Sequence, residues 1–136
     1  LYLSDPGLAS FLTGIRGAEE LGSSPLTGAL WETMVTSEIR RHQVNRDGGW
    51  DFHFWADRSR EADYLFHRGG RFDLAEAKWT EHPDRGDARA LTRIAAKLPA
   101  ESVDRMAIIC RCANPYPLTP EVEAIPLGHV GAWLAD

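Results

Sequence analysis

The stretch Glu61-Ala62-Asp63-Tyr64-Leu65-Phe66-His67-Arg68-Gly69-Gly70-Arg71-Phe72-Asp73-Leu74-Ala75-Glu76-Ala77-Lys78 decides the fold. Two runs rich in large apolar residues, Ala62 to His67 and Arg71 to Lys78, flank a Gly-Gly pair, the signature of antiparallel strands joined by a tight hairpin. Side chains alternate across a strand, so Phe72, Leu74, Glu76 and Lys78 share one face. The hairpin then folds Asp63 back beside Glu76. Two carboxylates and an ammonium are expected to meet at one end of a sheet.

Upstream of this hairpin, Trp50 to Ala56 adds a third strand-like run after a turn at Asp47-Gly48-Gly49. Leu26, Leu30 and Met34, with Trp31, Val35 and Ile39, recur at three-to-four spacing, which predicts an amphipathic helix opening at Ser23-Ser24-Pro25 and running to about Gln43. Asp5-Pro6-Gly7 gives the same start signal, with Asp5 as cap, Pro6 at the first helical position, and Gly14 and Gly17 ending the helix. Downstream, Ala90, Leu91, Ile94, Ala95 and Leu98 share one face of a helix from Asp87 to Leu98, which Pro99 stops. Met106 to Cys110 is unbroken apolar sequence and suits a strand covered on both faces. A proline-rich connector from Pro115 to Pro120 leads to a short strand near Val122 to Ile125 and a closing segment with Val130, Trp133 and Leu134. The order of helix, three strands, helix, strand, strand implies an α/β sandwich.

At 136 residues the chain can bury a real core without disulfides or metals. An apolar share of 43% and a charged share of 26% exclude a disordered or fibrous chain. The balance of 15 basic against 20 acidic residues, net −5, argues against broad electrostatic capture of nucleic acid, so any such contact must be local. Cys110 and Cys112 stand too close along the chain for an unstrained bridge, which points to reduced thiols and a cytoplasmic setting. No stretch approaches the ~18 apolar residues of a membrane span, and no basic-then-apolar leader opens the sequence. Leu1-Tyr2-Leu3 reads as part of an extended segment, and a longer protein is expected around the sequence given.

The convergence of Asp63 and Glu76 favours a hard divalent ion, Mg²⁺ or Mn²⁺, which prefers oxygen ligands and keeps waters for a substrate phosphate. The Ala77 carbonyl, between Glu76 and Lys78, is a candidate third oxygen ligand. Lys78 stands where it can orient a water or stabilise charge building on phosphate oxygens. Glu32 belongs near the inward stripe of the long helix, where a carboxylate needs a partner such as Lys78 or the ion. Taken alone, a Glu-x-Lys on a strand reads as a surface ion pair.

Glu32 on a helix, Asp63 on a strand and Glu76-Ala77-Lys78 on the next strand resemble the PD-(D/E)XK phosphodiesterase superfamily. A narrower resemblance rests on Tyr2-Leu3-Ser4-Asp5-Pro6-Gly7-Leu8, Gly28-Ala29-Leu30-Trp31-Glu32, Phe54-Trp55-Ala56-Asp57, Glu61-Ala62-Asp63 and Ile125-Pro126-Leu127. With these motifs the chain is similar to the C-terminal domain of unknown function of prokaryotic AAA-type ATP-binding proteins. That family often carries valine where this chain has Ala62 and Ala77. The resemblance implies a restriction-endonuclease-like three-layer sandwich with an αβββαβ core. It also implies metal ligands at Asp63 and Glu76, a catalytic lysine at Lys78 and a helix-borne acid at Glu32.

On this reading residues 1–24 connect to an ATPase module and residues 25–136 form the nuclease-like domain. ATP would enter only through that module, because no Gly-rich run precedes a Lys-Ser/Thr pair and the lysines are Lys78 and Lys97. The expected partners are the attached ATPase, DNA and further copies of the chain, with no membrane. The alternative is a non-catalytic module that binds nucleic acid or protein and lends the ATPase its specificity. Glu61 is a further candidate at the site, against a solvated or Arg58-paired role, and His82 lies just beyond Lys78. Arg85, Arg89, Arg93 and Lys97 recur every four residues and either track phosphates or form the solvated face of their helix. The histidines show no paired metal spacing, and the cysteines lack the partner pair of a zinc site.

Overall fold

The computed structural model describes residues 3, 5–45, 51–56 and 61–135. The expected turn at Asp47-Gly48-Gly49 and the opening Leu1-Tyr2 lie outside the described residues. Chain order gives α1 (Pro6–Leu12), α2 (Ala18–Ser23), α3 (Thr27–Asn45), β1 (Asp51–Ala56), β2 (Glu61–Arg68), β3 (Arg71–Ala77), α4 (Arg85–Ala95), β4 (Val103–Cys110), β5 (Tyr116–Pro117) and β6 (Val122–Pro126). A 3-10 turn at Leu127–His129 and α5 (Val130–Trp133) close the fold.

The strands form one mixed sheet of six in the order β1-β2-β3-β4-β6-β5. The first three make an antiparallel meander, and β3, β4 and β6 run parallel. Gly69 and Gly70 both take positive φ, 54° and 86°, the pairing a two-residue hairpin of the matching twist requires. Strand β4 is central and buried on both faces from Met106 to Cys110, as its unbroken apolar run predicts.

Helices cover both faces of the sheet, which makes an α/β three-layer sandwich. Trp31, Val35 and Ile39 of α3, with Val130 and Trp133 of α5, pack on Tyr64, Phe66, Ala75, Ala107 and Ile109. On the other face Ala88, Leu91 and Ile94 of α4 pack on Leu65, Leu74, Met106, Ile108 and Ala124. The helices α1 and α2 rest on α3. Among the described residues, no helix is long and apolar enough to cross a membrane.

Local chemistry accounts for the departures from the sequence reading. Helix α2 was not expected, because Gly17 was read as a terminator; it is instead the N-cap of α2, followed by Glu19 and Glu20 in a first turn that favours acids. Helix α4 begins at Arg85, two residues earlier than expected. Asp84 caps it by accepting from the Gly86 and Asp87 amides (2.5 and 3.1 Å), and the Asp87 carboxylate accepts from the Asp84 amide (2.9 Å). Within the proline-rich connector, Tyr116–Pro117 pairs with β6 at the sheet edge, where a proline costs no interior ladder bond.

Candidate functional site

The site begins with a slip in strand pairing. His53 lies opposite Leu65 but Trp55 lies opposite Ala62, so β2 carries an extra residue around Asp63 and Tyr64. Ala62 and Leu65 therefore both enter the core under α4, and Tyr64 and Phe66 the core under α3. The β2–β3 pairing reaches Tyr64 opposite Ala75. One step further, the Asp63 carboxylate accepts the Ala77 amide (2.8 Å) in place of a ladder carbonyl. In an extended residue the N–H and C=O point the same way, so the Ala77 carbonyl is turned towards the Asp63 side of β3.

Glu76 and Lys78 follow Phe72 and Leu74 onto the α4 side of β3. Their heads meet at 2.5 Å, Lys78 Nζ to Glu76 Oε1. The two are unequally covered: the Glu76 side chain is 12% exposed and that of Lys78 39%. The second carboxylate oxygen, Glu76 Oε2, is buried and has no hydrogen-bond partner among the described residues. The Lys78 amide donates to the Ile109 carbonyl (2.9 Å), which fixes the lysine where β3 parts from β4. That is the carboxyl end of the parallel strands, the usual ligand end of open α/β sheets.

Burial pushes the Glu76 carboxyl above its ordinary range, and the hydrogen bond and charge of Lys78 only partly offset this. The carboxylates of Asp63 and Asp87 push it in the same direction as burial. For Lys78, burial works to lower the value, but Glu76, Asp87 and Asp63 together outweigh it and hold the ammonium in its charged form. The more buried carboxylate bears the desolvation, and the more exposed ammonium gains from the attraction. Three acids, Glu76, Asp87 and Asp63, thus act on this one lysine.

Asp87 escaped the sequence reading. It sits in the first turn of α4, half-buried, and its field reaches both Glu76 and Lys78. The available signal was the Asp84-x-x-Asp87 cap directly after Glu76-Ala77-Lys78, which brings a helix start back over the site.

The other expected residues are placed as follows. Glu32 is half-buried on α3, the layer on the opposite face of the sheet, and is not among the groups that shift Glu76 or Lys78. Its backbone carbonyl accepts from the Tyr64 hydroxyl (3.1 Å), which also bonds the Thr36 hydroxyl (2.9 Å), so this turn of α3 is tied to the residue beside Asp63. The Glu61 side chain, Arg58 and Asp57 lie outside the described residues. His82 is exposed, with its amide on the Thr80 hydroxyl (3.1 Å). Arg85, Arg89 and Arg93 are exposed along α4, whereas Lys97 lies over the Trp55 ring (5.8 Å).

Among the described residues, no group of three or more His, Cys, Asp and Glu side chains is placed to hold a metal ion. Asp63 and Glu76 form a two-carboxylate arrangement, and the buried Glu76 Oε2 has no hydrogen-bond partner among the described residues. All their donors are hard oxygens, which fits Mg²⁺ or Mn²⁺, ions that take one or two protein carboxylates and fill the rest of their shell from carbonyl, water and phosphate.

Beside Lys78 an aromatic ladder closes the same end of the sheet. Trp31 of α3 donates its indole N–H to the Ile109 carbonyl (3.2 Å) and meets Trp79 edge-on at 5.5 Å. Arg111 stacks on Trp79 (4.1 Å) and pairs with Glu81 (2.9 Å). A second charged cluster, also missed from sequence, occupies the other end of β3. Asp73 is 3% exposed and accepts from two Arg105 nitrogens, Nη2 (2.7 Å) and Nε (3.3 Å), with Arg68 at 3.8 Å. A cavity of about 870 Å³ between the C-terminal end of α4 and β4 includes no member of the Asp63 cluster. The chemistry lies at the strand ends rather than in that cavity.

The profile of one protein family, described as Domain of unknown function (DUF4143), matches residues 27–130. This span takes in α3, the whole meander, α4, β4 and β6. No curated protein and no solved structure matches the chain.

Proposed function

We propose that this chain, which belongs to the DUF4143 family of domains of unknown function, is a nuclease-like domain of the PD-(D/E)XK kind that hydrolyses DNA phosphodiesters with Mg²⁺ or Mn²⁺. The observation that carries the reading is Glu76. It is a nearly buried carboxylate with one oxygen on Lys78, the other unpartnered, and Asp63 alongside. Leaving a buried charged oxygen unsatisfied costs free energy, and such costs persist where function needs them.

Asp63, Glu76 and the Ala77 carbonyl would hold the ion, which supplies charge neutralisation at phosphate oxygens and a more acidic bound water. Asp63 is oriented by the Ala77 amide. Lys78 is held in its charged form and would present its ammonium to the negative charge that develops on the phosphate oxygens. Asp87 holds that ammonium charged from the α4 side. Glu32 stands in the α3 layer with its backbone carbonyl on the Tyr64 hydroxyl, and its role as the helix-borne acid enters this reading only through the resemblance. Attachment to an AAA-type ATPase module, and association of copies of the chain, belong to the same proposal through the resemblance.

The test is calorimetric titration of the 136-residue chain with Mn²⁺, with cleavage of duplex, single-stranded and RNA substrates scored in parallel. Binding that is lost in Asp63→Ala, and cleavage lost in both Asp63→Ala and Lys78→Ala, is the expected result. Ion binding without cleavage on any substrate would leave a binding module. No ion binding at millimolar Mn²⁺ would overturn the site itself.

A further inference from the structure

The outward face of α4 is basic without compensation. Its fully exposed charged residues are Arg85, Arg89 and Arg93, and its only acid, Asp87, is half-buried and turned to the Glu76 side. Arg41, Arg68, Arg71, Arg105 and Arg111 each pair with a carboxylate. Among the described residues, none of the three α4 arginines does.

This arrangement opposes helix stability. Like charges four residues apart on a helix destabilise it, and Arg85–Arg89 and Arg89–Arg93 are two such pairs. A cation at Arg85, the first helical residue, also faces the positive end of the helix dipole. A merely solvated face is served better by alternating signs. Successive members of the row stand about 6 Å apart along the axis, and each guanidinium offers a fork that matches a phosphate. The row starts two residues from Asp87, so it leads away from the Glu76–Lys78 cluster.

We infer that Arg85, Arg89 and Arg93 form a contact for the phosphate backbone of duplex DNA, leading outward from the candidate site along α4. The inference rests on the proposed reading only in taking DNA as the partner; cleavage is not needed. With the chain at net −5, binding is confined to this strip and is strongly salt-dependent.

The experiment is fluorescence anisotropy of a labelled 20-base-pair duplex in EDTA, where no ion-dependent cleavage occurs, at 50 to 200 mM salt. Each phosphate contact contributes about 0.9 to the slope of log affinity against log salt, so R85Q/R89Q/R93Q should lower the slope by about 2.7. Over that fourfold salt range the wild type should lose about 40-fold more affinity than the variant. Because EDTA removes any divalent ion, the measurement is independent of the ion site, which separates failure of this contact from failure of that site. Equal slopes for variant and wild type overturn the inference. So does a wild type that ignores the duplex and instead holds polyglutamate, the mark of an acidic protein partner. Urea unfolding of the triple variant should match or exceed wild type, so lost binding cannot be assigned to lost fold.

Discussion

Replacing Lys78 by methionine tests the electrostatic account of the site without any ligand. In the fold Glu76 titrates above its ordinary 4.5 because burial disfavours its charge, and Lys78 supplies both influences that pull it back. For a carboxyl raised in this way the sign is fixed. Stability is greatest while the group is protonated and is lost as pH rises from the unfolded value through the folded one. Lys78→Met removes the opposing attraction, so the loss deepens and extends to higher pH. Breaking a buried pair by removing one partner costs about 3–5 kcal/mol, but the Lys78 side chain is 39% exposed and solvent screens it. About 1–2 kcal/mol is expected at pH 7, or roughly 0.5–1 M in the urea midpoint for a domain of this size. Near pH 4 the two proteins should converge, because Glu76 is then neutral in both. Parallel stability curves for wild type and Lys78→Met from pH 4 to 8 would refute the reasoning, since they would mean that Glu76 does not depend on Lys78 to carry its charge.

Other outcomes follow from the same structure. Asp73→Ala leaves the half-buried Arg105 guanidinium with the Trp133 carbonyl and ring but without its carboxylate, and should cost about 3 kcal/mol in urea unfolding, the low end for breaking a buried pair. Asp84→Ala removes the cap of α4 and should cost about 1 kcal/mol by the same measurement. Burial pushes the Cys110 thiol up to about 12, so at pH 8 it should resist alkylation in the native state and react once urea unfolds the chain.

The meander was legible because its signals are local. The Gly69-Gly70 pair, the alternation of Phe72, Leu74 and Glu76, and the apolar run at Met106 to Cys110 each specify their own element. The meeting of Asp63 with the Glu76 end of β3 followed from hairpin arithmetic, although the arithmetic assumed an even ladder. The extra residue near Asp63 depends on how β1 pairs with β2, and nothing within the Ala62 to His67 run marks it. Asp87 was missed because its position relative to Glu76 is set by how α4 docks on the sheet. Asp73 was missed because a lone acid on a strand face gives no sign of its arginines, which arrive from residues 68 and 105. Gly17 misled because glycine is found at either end of a helix; α1 has already ended at Leu12, and Gly17 caps the start of α2.

The Ile109 carbonyl receives both the Lys78 amide and the Trp31 indole, so a single acceptor joins the long helix, the central strand and the backbone of the site lysine. The indole proton of Trp31 is thus a built-in sensor. Its resonance, well separated from the amide envelope, should move when the strand end rearranges, and it would let a spectrometer follow events at Glu76 and Lys78 with no label attached.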